Sequence, residues 1–382
     1  MGNSSINPQI AAVSDGTSFL LETLFKFYNN GMSNVELLEC TLRDGSYAVD
    51  FQFTAEFTHQ LATQLDRLQF PYIEVGHGMG IDASAKVVRA AATDIAYAEA
   101  TRDAVSKSKW GMFAIPEIAN PRNVNNFFSM GMDFVRVGVD AFSLEKGIEF
   151  IKIVKSESED KEVFVNFMKS YALDVGSLID RVRAIEDLGV TGVYLVDSAG
   201  GMLPDELDVY SNALENLNSK LKLGFHGHDN LGLAVSHSMK LASGGFDLID
   251  CTMQGIGRSS GNASTERLVS ILNRLNIDVT YNVNEVLKVG EQLVRPKFLQ
   301  PGYSGLDTLA GFLLFHTAYM DDLITVSREL EVDPYMLMQE HCKVSITTGS
   351  YDEISVVAKN MVLNGHAYLG SYPLDRYFGH EQ

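Results

Sequence analysis

Eight short apolar runs, separated by longer amphipathic stretches, constrain the fold of this chain more than anything else in it. They lie at 35–42, 72–76, 110–115, 134–139, 163–168, 192–196, 223–226 and 248–252. Each is of strand length and rich in Val, Ile, Phe or Tyr. The stretches between them have helical spacing. In one, Leu178, Ile179, Val182, Ile185 and Leu188 share a face while Asp180, Arg181, Arg183 and Glu186 fill the other, the stripe of a helix packed on a core. Eight strand–helix units over residues 35–275 predict a (β/α)₈ TIM barrel, whose usual length is roughly 250 residues. A doubly wound α/β sheet is the alternative for any such alternation. It has fewer units, and no dinucleotide-type Gly-rich turn follows the first run. The organisation read from the sequence is an N-terminal extension over 1–33, a barrel over 34–281 and a C-terminal helical domain over 282–382. The extension carries Phe19, Leu20, Leu24, Phe27 and Tyr28 at helical spacing within 17–30, and the C-terminal domain has candidate helices at 323–330 and 335–341.

In a barrel of this kind the chemistry sits at the C-terminal ends of the strands. Asp44 follows the first run and His77 the second; Lys169 ends the fifth, Asp197 the sixth, and His226 and His228 the seventh. Asn262 lies in the Gly-rich loop after the eighth, in Gln254-Gly255-Ile256-Gly257-Arg258-Ser259-Ser260-Gly261-Asn262. Residues i and i+2 of a strand point the same way, so His226 and His228 project from one face. One carboxylate and two imidazoles form an N/O donor set for a divalent metal with positions left for substrate. Every candidate has a plainer reading. Arg43–Asp44 is then a structural ion pair, Arg136 a rim or core charge, His77 a hydrogen-bond donor to a loop carbonyl, and Asn262 a turn residue. Asp197 then orients neighbouring groups, Tyr303 packs, and His237, on the following helix, lies at the surface. For the loop at 255–261, close backbone approach is favoured over phosphate binding.

Composition excludes several classes of function. The 382 residues carry a formal net charge of −19, which opposes a nucleic-acid surface. No apolar run approaches the roughly 20 residues of a membrane span. The first lysine is Lys26, so a basic signal-peptide segment is not expected. Three widely spaced cysteines, Cys40, Cys251 and Cys342, point to a reduced, cytoplasmic setting.

The motifs together resemble the DRE-TIM metallolyases, and within them the 4-hydroxy-2-oxovalerate aldolases. The residues that carry the resemblance are Thr41-Leu42-Arg43-Asp44-Gly45, Ile73-Glu74-Val75-Gly76-His77-Gly78, Asp197-Ser198-Ala199-Gly200-Gly201-Met202, Gly227-His228-Asp229-Asn230-Leu231-Gly232, the loop at 257–262, and Gly302-Tyr303-Ser304-Gly305. Synthases of the superfamily follow their acidic-Gly pair with Glu-Gln, where this chain has Ser46-Tyr47. The CoA lyases carry a cysteine in the loop after strand eight, and here that loop has none. One departure touches the aldolases themselves: Tyr47 stands where they place a histidine held to be the acid–base.

The resemblance implies cleavage or formation of a C–C bond in a 4-hydroxy-2-oxo acid, with pyruvate and an aldehyde at the other end of the reaction. It implies metal ligands Asp44, His226 and His228, with Mn²⁺ or Mg²⁺ as the metal and Co²⁺ as the alternative. Arg43 would stabilise the pyruvate enolate, with Tyr47 and Tyr303 near proton transfer. Asn262, His77, Lys169 and Asp197 are further candidate contacts. The partners it implies are a small 2-oxo acid, a second copy of the chain through its extensions, and an aldehyde dehydrogenase, the last disfavoured by Tyr47. Three other readings compete: an acyl-CoA-dependent Claisen-type synthase or lyase, a Schiff-base aldolase using Lys169, and a catalytically quiet binding subunit.

Overall fold

A computed structural model describes residues 35–157, 160–217, 219–275, 281–298 and 305–365. The helical stripe at 17–30 and Tyr303 lie outside these. The strands are β1 (Glu36–Glu39), β2 (Tyr72–Val75), β3 (Lys109–Ala114), β4 (Phe134–Asp140), β5 (Glu162–Met168), β6 (Gly192–Asp197), β7 (Lys222–Gly227) and β8 (Leu248–Cys251). All neighbours are parallel, and the sheet closes where β1 pairs with β8 through Leu38 and Asp250. The predicted TIM barrel is therefore the fold. The predicted stripe forms the helix Val175–Glu186, with Leu178, Val182 and Ile185 buried. Asp174 caps its first turn by accepting from Ser177 N at 2.9 Å, worth about 1 kcal/mol.

The barrel interior rises in steps of two residues, because alternate side chains of each strand point inward. Its floor is apolar: Leu38, Tyr72, Phe134, Phe164, Tyr194 and Leu248 pack together. Tyr72, Phe134, Phe164 and Tyr194 meet edge to face at centroid distances of 5.4–6.3 Å. Gly224 makes room for this layer, since a Cβ there would lie 2.5 Å from the Tyr194 ring. Truncating Phe164 to alanine costs about 3–5 kcal/mol. Two residues further along, the same strands carry Glu74, Arg136, Asn166, His226 and Asp250, all buried. The next step is the rim, with Met168, Ser198 and His228.

Beyond the barrel, the helices Gly305–Leu313, Met320–Glu329, Pro334–Cys342 and Tyr351–Leu363 form a second apolar cluster around Leu323, Leu337 and Ile354. They sit on the rim at the β6–β8 loops. Asn230 Nδ2 donates to Asp307 O at 3.0 Å, and Ser259 Oγ donates to Asp307 Oδ1 at 2.6 Å. Gly201 lies so close beneath Gly311 that a Cβ would come 2.2 Å from its carbonyl oxygen. Among the described residues no helix is long and apolar enough to cross a membrane.

Candidate active site

β1 ends at Glu39, and the chain turns into a short 3-10 segment, Asp44–Val49, that places Asp44 over the barrel mouth. β7 delivers His226 and His228 to the same point. Asp44, His226 and His228 each offer a ligand atom, and these atoms all lie within 4.8 Å of one another. His226 Nε2 stands 4.0 Å from Asp44 Oδ2. Both imidazoles have a defined orientation. His226 Nδ1 pairs with Asp250 Oδ2 at 2.7 Å, and His228 Nδ1 pairs with Gly261 O at 3.2 Å. Those acceptors take the Nδ1 protons, so each Nε2 turns its lone pair to the site, where Arg258 Nη2 stands 3.4 Å from that of His228; an Nδ1 so held is the usual outer support of a metal-binding histidine. Burial, and then the Arg258 guanidinium, push His228 well below the ordinary imidazole range. Burial alone would raise the Asp44 carboxyl, but Arg43, the two histidines and the Asn262 amide together hold it well below the usual carboxylate range.

The residues fit a divalent cation on a further observation. Asn262 Nδ2 donates to Asp44 Oδ2, while its buried Oδ1 has no hydrogen-bond partner among the described residues. A buried acceptor left unpaired costs about 1–3 kcal/mol, and here it belongs to a residue already bonded to a candidate ligand. Gly257 permits that approach: a Cβ there would meet Asn262 Nδ2 at 2.2 Å and Asp44 Oδ2 at 2.9 Å. The 255–261 loop is thus used for close backbone packing.

Below the ligands a ring of charge closes inside the barrel. Arg43 Nη1 bonds Asp44 Oδ1 at 2.7 Å and its Nε bonds Glu74 Oε2 at 2.6 Å. Glu74 also holds Arg136, Arg136 holds Asp250, and Asp250 holds His226. Burial would raise Glu74, but Arg136 and Arg43 keep it ionised. Removing one member would strand a buried charge, at about 3–5 kcal/mol. Arg43 also stacks over Phe113, 4.7 Å from the ring centre.

Above the ring is a cavity of about 60 Å³, lined by Arg43, Asp44, Tyr47, Gly78, Phe113, Ile115, Asn166, Met168, Val196, Ser198, His226, His228 and Arg258. The family model for HMGL-like proteins matches residues 34–293, a span that takes in every described group of this site. The chain belongs to the HMGL-like family.

Two curated relatives differ in name. The chain is 33% identical to an oxaloacetate decarboxylase of Mycobacterium tuberculosis (strain ATCC 25618 / H37Rv), over 72% of this chain and 83% of that one. It is 29% identical to a 4-hydroxy-2-oxovalerate aldolase of Carboxydothermus hydrogenoformans, over 85% and 96%. Among solved structures, the N-terminal domain of a putative aldolase from Bacteroides vulgatus matches with TM-score 0.63 and 26% identity, over 77% of this chain and 98% of that one. The carboxyl transferase domain of Rhizobium etli pyruvate carboxylase matches with TM-score 0.69 and 17% identity, over 96% and 67%, a likeness of fold.

Within this HMGL-like site the structure sorts the remaining sequence candidates. Tyr47 lines the cavity, packed edge-on against Phe51 at 4.9 Å. His77 does not line it. Its Nε2 pairs with Val88 O at 2.9 Å, its Nδ1 accepts from Met79 N at 3.0 Å, and its ring stacks on Phe51; burial pushes it down to about 4. Asp197 also lies outside the lining and accepts from Gly201 N and Met202 N, with burial pushing it up to about 6. Lys169 reaches Asp140 Oδ2 at 3.0 Å, Tyr319 OH at 3.1 Å and Thr347 O at 3.1 Å. Burial favours the neutral amine, but Tyr319 and Asp140 outweigh it and keep the proton on. It latches the C-terminal helices to the barrel and has no lone pair for a Schiff base. Arg136 is a core charge, as one sequence reading had it. His237 corrects the sequence reading: the inner face of its helix, Ala234–Gly244, carries it, and it is 2% exposed rather than at the surface.

Glu74, Asp250, Asn166 and Arg258 were not singled out from the sequence. The first three have a signal there, since each lies two residues beyond a floor residue of its strand. Arg258 has a weaker one, as the lone cation in the loop that ends at Asn262.

Proposed function

We propose that this HMGL-like chain is a divalent-metal-dependent carbon–carbon lyase. It cleaves the C3–C4 bond of a 4-hydroxy-2-oxo acid to pyruvate and an aldehyde, or forms that bond. The observation that carries the reading is the convergence of Asp44 and the two directed Nε2 atoms, beside Arg43, in one small cavity. Mn²⁺ or Mg²⁺, with Co²⁺ as the alternative, held by Asp44, His226 and His228, supplies Lewis-acid polarisation of the 2-oxo carbonyl.

The chain's own residues do the rest. Arg43 spends Nε and Nη1 on Glu74 and Asp44 and lines the cavity, so Nη2 is the nitrogen left for charge developing on the substrate oxygen as the bond breaks. Phe113, Ile115, Met168 and Val196 give the cavity apolar walls that exclude water and strengthen that interaction. We assign proton exchange with the 4-hydroxyl to Tyr47, one of the two hydroxyl residues of the lining with Ser198, and give Tyr303 a share in the same transfer. A cavity of about 60 Å³ holds roughly four to six water-sized groups, the scale of pyruvate.

A second reading, decarboxylation of a 2-oxo diacid to pyruvate, is favoured by one observation. Among the described residues the lining holds no carboxylate or imidazole beyond Asp44, His226 and His228, and a Tyr with pKa near ~10 is a poor base at neutral pH. Decarboxylation breaks the same C3–C4 bond without taking a hydroxyl proton, and one relative bears that name. The deciding experiment is a pyruvate-release screen over 4-hydroxy-2-oxo acids and 2-oxo diacids with Mn²⁺, with and without EDTA. Full activity in EDTA sinks the metal, and the preferred substrate class separates the two readings. We also propose a homo-oligomer, which light scattering showing a monomer at micromolar concentration would overturn.

A further inference from the structure

The cavity has two unlike sides. Asp44 follows β1, His226 and His228 come from the end of β7, and Arg43 joins them through its bond to Asp44. In the closed ring of eight strands β5 stands opposite β1. With β3 and β6 it supplies a wall of Phe113, Ile115, Asn166, Met168, Val196 and Ser198. Most of this wall is apolar, and Ser198 Oγ already accepts from Lys169 N at 3.2 Å.

Asn166 is the exception. It is 2% exposed, and its Oδ1 has no hydrogen-bond partner among the described residues. Of the lining side chains described, it is the one with a buried polar atom in that state. Its register partner on β4 is Gly138, which has no side chain to offer. A Cβ there would lie 2.4 Å from Phe113 Cζ, so the Phe113 ring fills that space. A leucine, of similar shape, would pack against Phe113, Met168 and Val196 without stranding a polar atom. Packing therefore does not account for the amide, and a partner arriving in the cavity does. Half a turn about its Cβ–Cγ bond exchanges the N–H and oxygen ends, so the amide can donate or accept as that partner requires.

A 2-oxo acid held as proposed above keeps its carboxylate and 2-oxo oxygen beside the metal ligands and Arg43. Its C4 then lies toward the opposite wall. In a 4-hydroxy-2-oxo acid C4 carries an oxygen, a hydroxyl before cleavage and the aldehyde carbonyl after it. We infer that the Asn166 amide hydrogen-bonds this C4 oxygen and so selects 4-hydroxy-2-oxo acids over 2-oxo acids with an unsubstituted chain. This rests on the 4-hydroxy-2-oxo acid reading above. The contact serves both ends of the reaction: the hydroxyl donates to Oδ1 or accepts from Nδ2, and the aldehyde carbonyl accepts from Nδ2. An amide does not take up a proton at neutral pH, so Asn166 decides which substrate is held while proton transfer stays with Tyr47.

The test uses the full chain loaded with Mn²⁺ and two inert acids that differ by one oxygen, 2,4-dihydroxypentanoate and 2-hydroxypentanoate. Each chelates a metal through its carboxylate and 2-hydroxyl, and neither has the 2-oxo group that takes up electrons on cleavage. In calorimetric titration the wild-type protein should bind the dihydroxy acid about 3- to 10-fold more tightly, the scale of one neutral hydrogen bond. Asn166→Leu should level the two acids by weakening the dihydroxy acid alone. Asn166→Ala, which removes the amide without filling its place, should level them too, so the result does not depend on how leucine packs. In both variants the affinities for Mn²⁺ and for 2-hydroxypentanoate should stay within about threefold, since the head of the ligand and the metal do not share the contact. Equal binding of the two acids by the wild-type protein overturns the contact and leaves the lyase reading standing. So does a preference that survives both substitutions, or a loss of Mn²⁺ affinity as large as the loss of the dihydroxy acid. Wild-type protein that binds Mn²⁺ but neither acid nor pyruvate overturns the 2-oxo acid reading itself, and the contact with it.

Discussion

On the β7–β8–β1 side of the rim, His226, His228 and Asp44 each keep a ligand atom directed at one point. On the β2–β5–β6 side, His77, Lys169 and Asp197 direct theirs into loops and the C-terminal helices. All six are buried polar groups at strand ends, so their position at the rim does not separate them. Their hydrogen bonds do. Each histidine of the first side spends Nδ1 on a fixed acceptor and turns Nε2 toward the cavity, where that of His226 faces Asp44 and that of His228 meets only Arg258 among the described residues, whereas His77 spends both nitrogens on loop backbone. A residue can take part in chemistry only with the donor or acceptor that the fold has left it.

The comparison can be broken most forcefully on its active side. His228→Ala should reduce metal content from about one ion per chain to almost none, with a loss of turnover larger than any other variant considered. Metal analysis of the purified variant checks it, and a full complement of metal would remove His228 from the ligand set. Next in size, Arg43→Ala should cost about 10²–10³ in kcat, the scale of losing an oxyanion donor, with Arg43→Lys a partial rescue. Normal kcat in that variant would reduce Arg43 to a member of the ion ring.

The supports should matter less than the groups they support. Asp250→Asn keeps the shape but weakens the hold on His226, and metal affinity should drop about 10–100-fold; equal affinity in the two proteins would mean that the ring stabilises the barrel without tuning the site. On the spent side, Lys169→Met should lower stability by about 1–3 kcal/mol while Mn²⁺ affinity stays within about threefold. A large loss of metal with unchanged stability would place Lys169 among the site's own groups.

The smallest effect belongs to neither side. Glu39, buried at the end of β1, is pushed up to about 7 by desolvation, against its bonds from Thr41, Thr265 and Met253. A carboxyl raised in the fold stabilises it fully below the unfolded value of about 4.5, and that contribution is lost as pH rises through about 7. Glu39→Gln should therefore flatten the fall in Tm between pH ~5 and ~8, and a wild-type slope that persists in the variant would assign it to another group.

The barrel was legible in the sequence because its signal is local. Strand runs and helix stripes are periodicities of 2 and 3.6 that need no knowledge of distant residues. The pairing of His226 with His228 has the same origin, and the rule placing chemistry at strand ends brought Asp44 to them. Availability could not be read in this way, since it depends on contacts across the fold. Asp44 meets Asn262 across 218 positions, and Lys169 meets Thr347 across 178. His237 looks like a surface residue until the barrel fixes which face of its helix turns inward. The ring from Arg43 through Glu74, Arg136 and Asp250 to His226 draws on five stretches of chain that become neighbours only when the sheet closes. Residue types and their spacing determined the barrel and nominated its rim. Closure of the barrel decided which nominated groups turn a ligand atom into the cavity, because a buried polar group takes the nearest partner that the tertiary fold supplies.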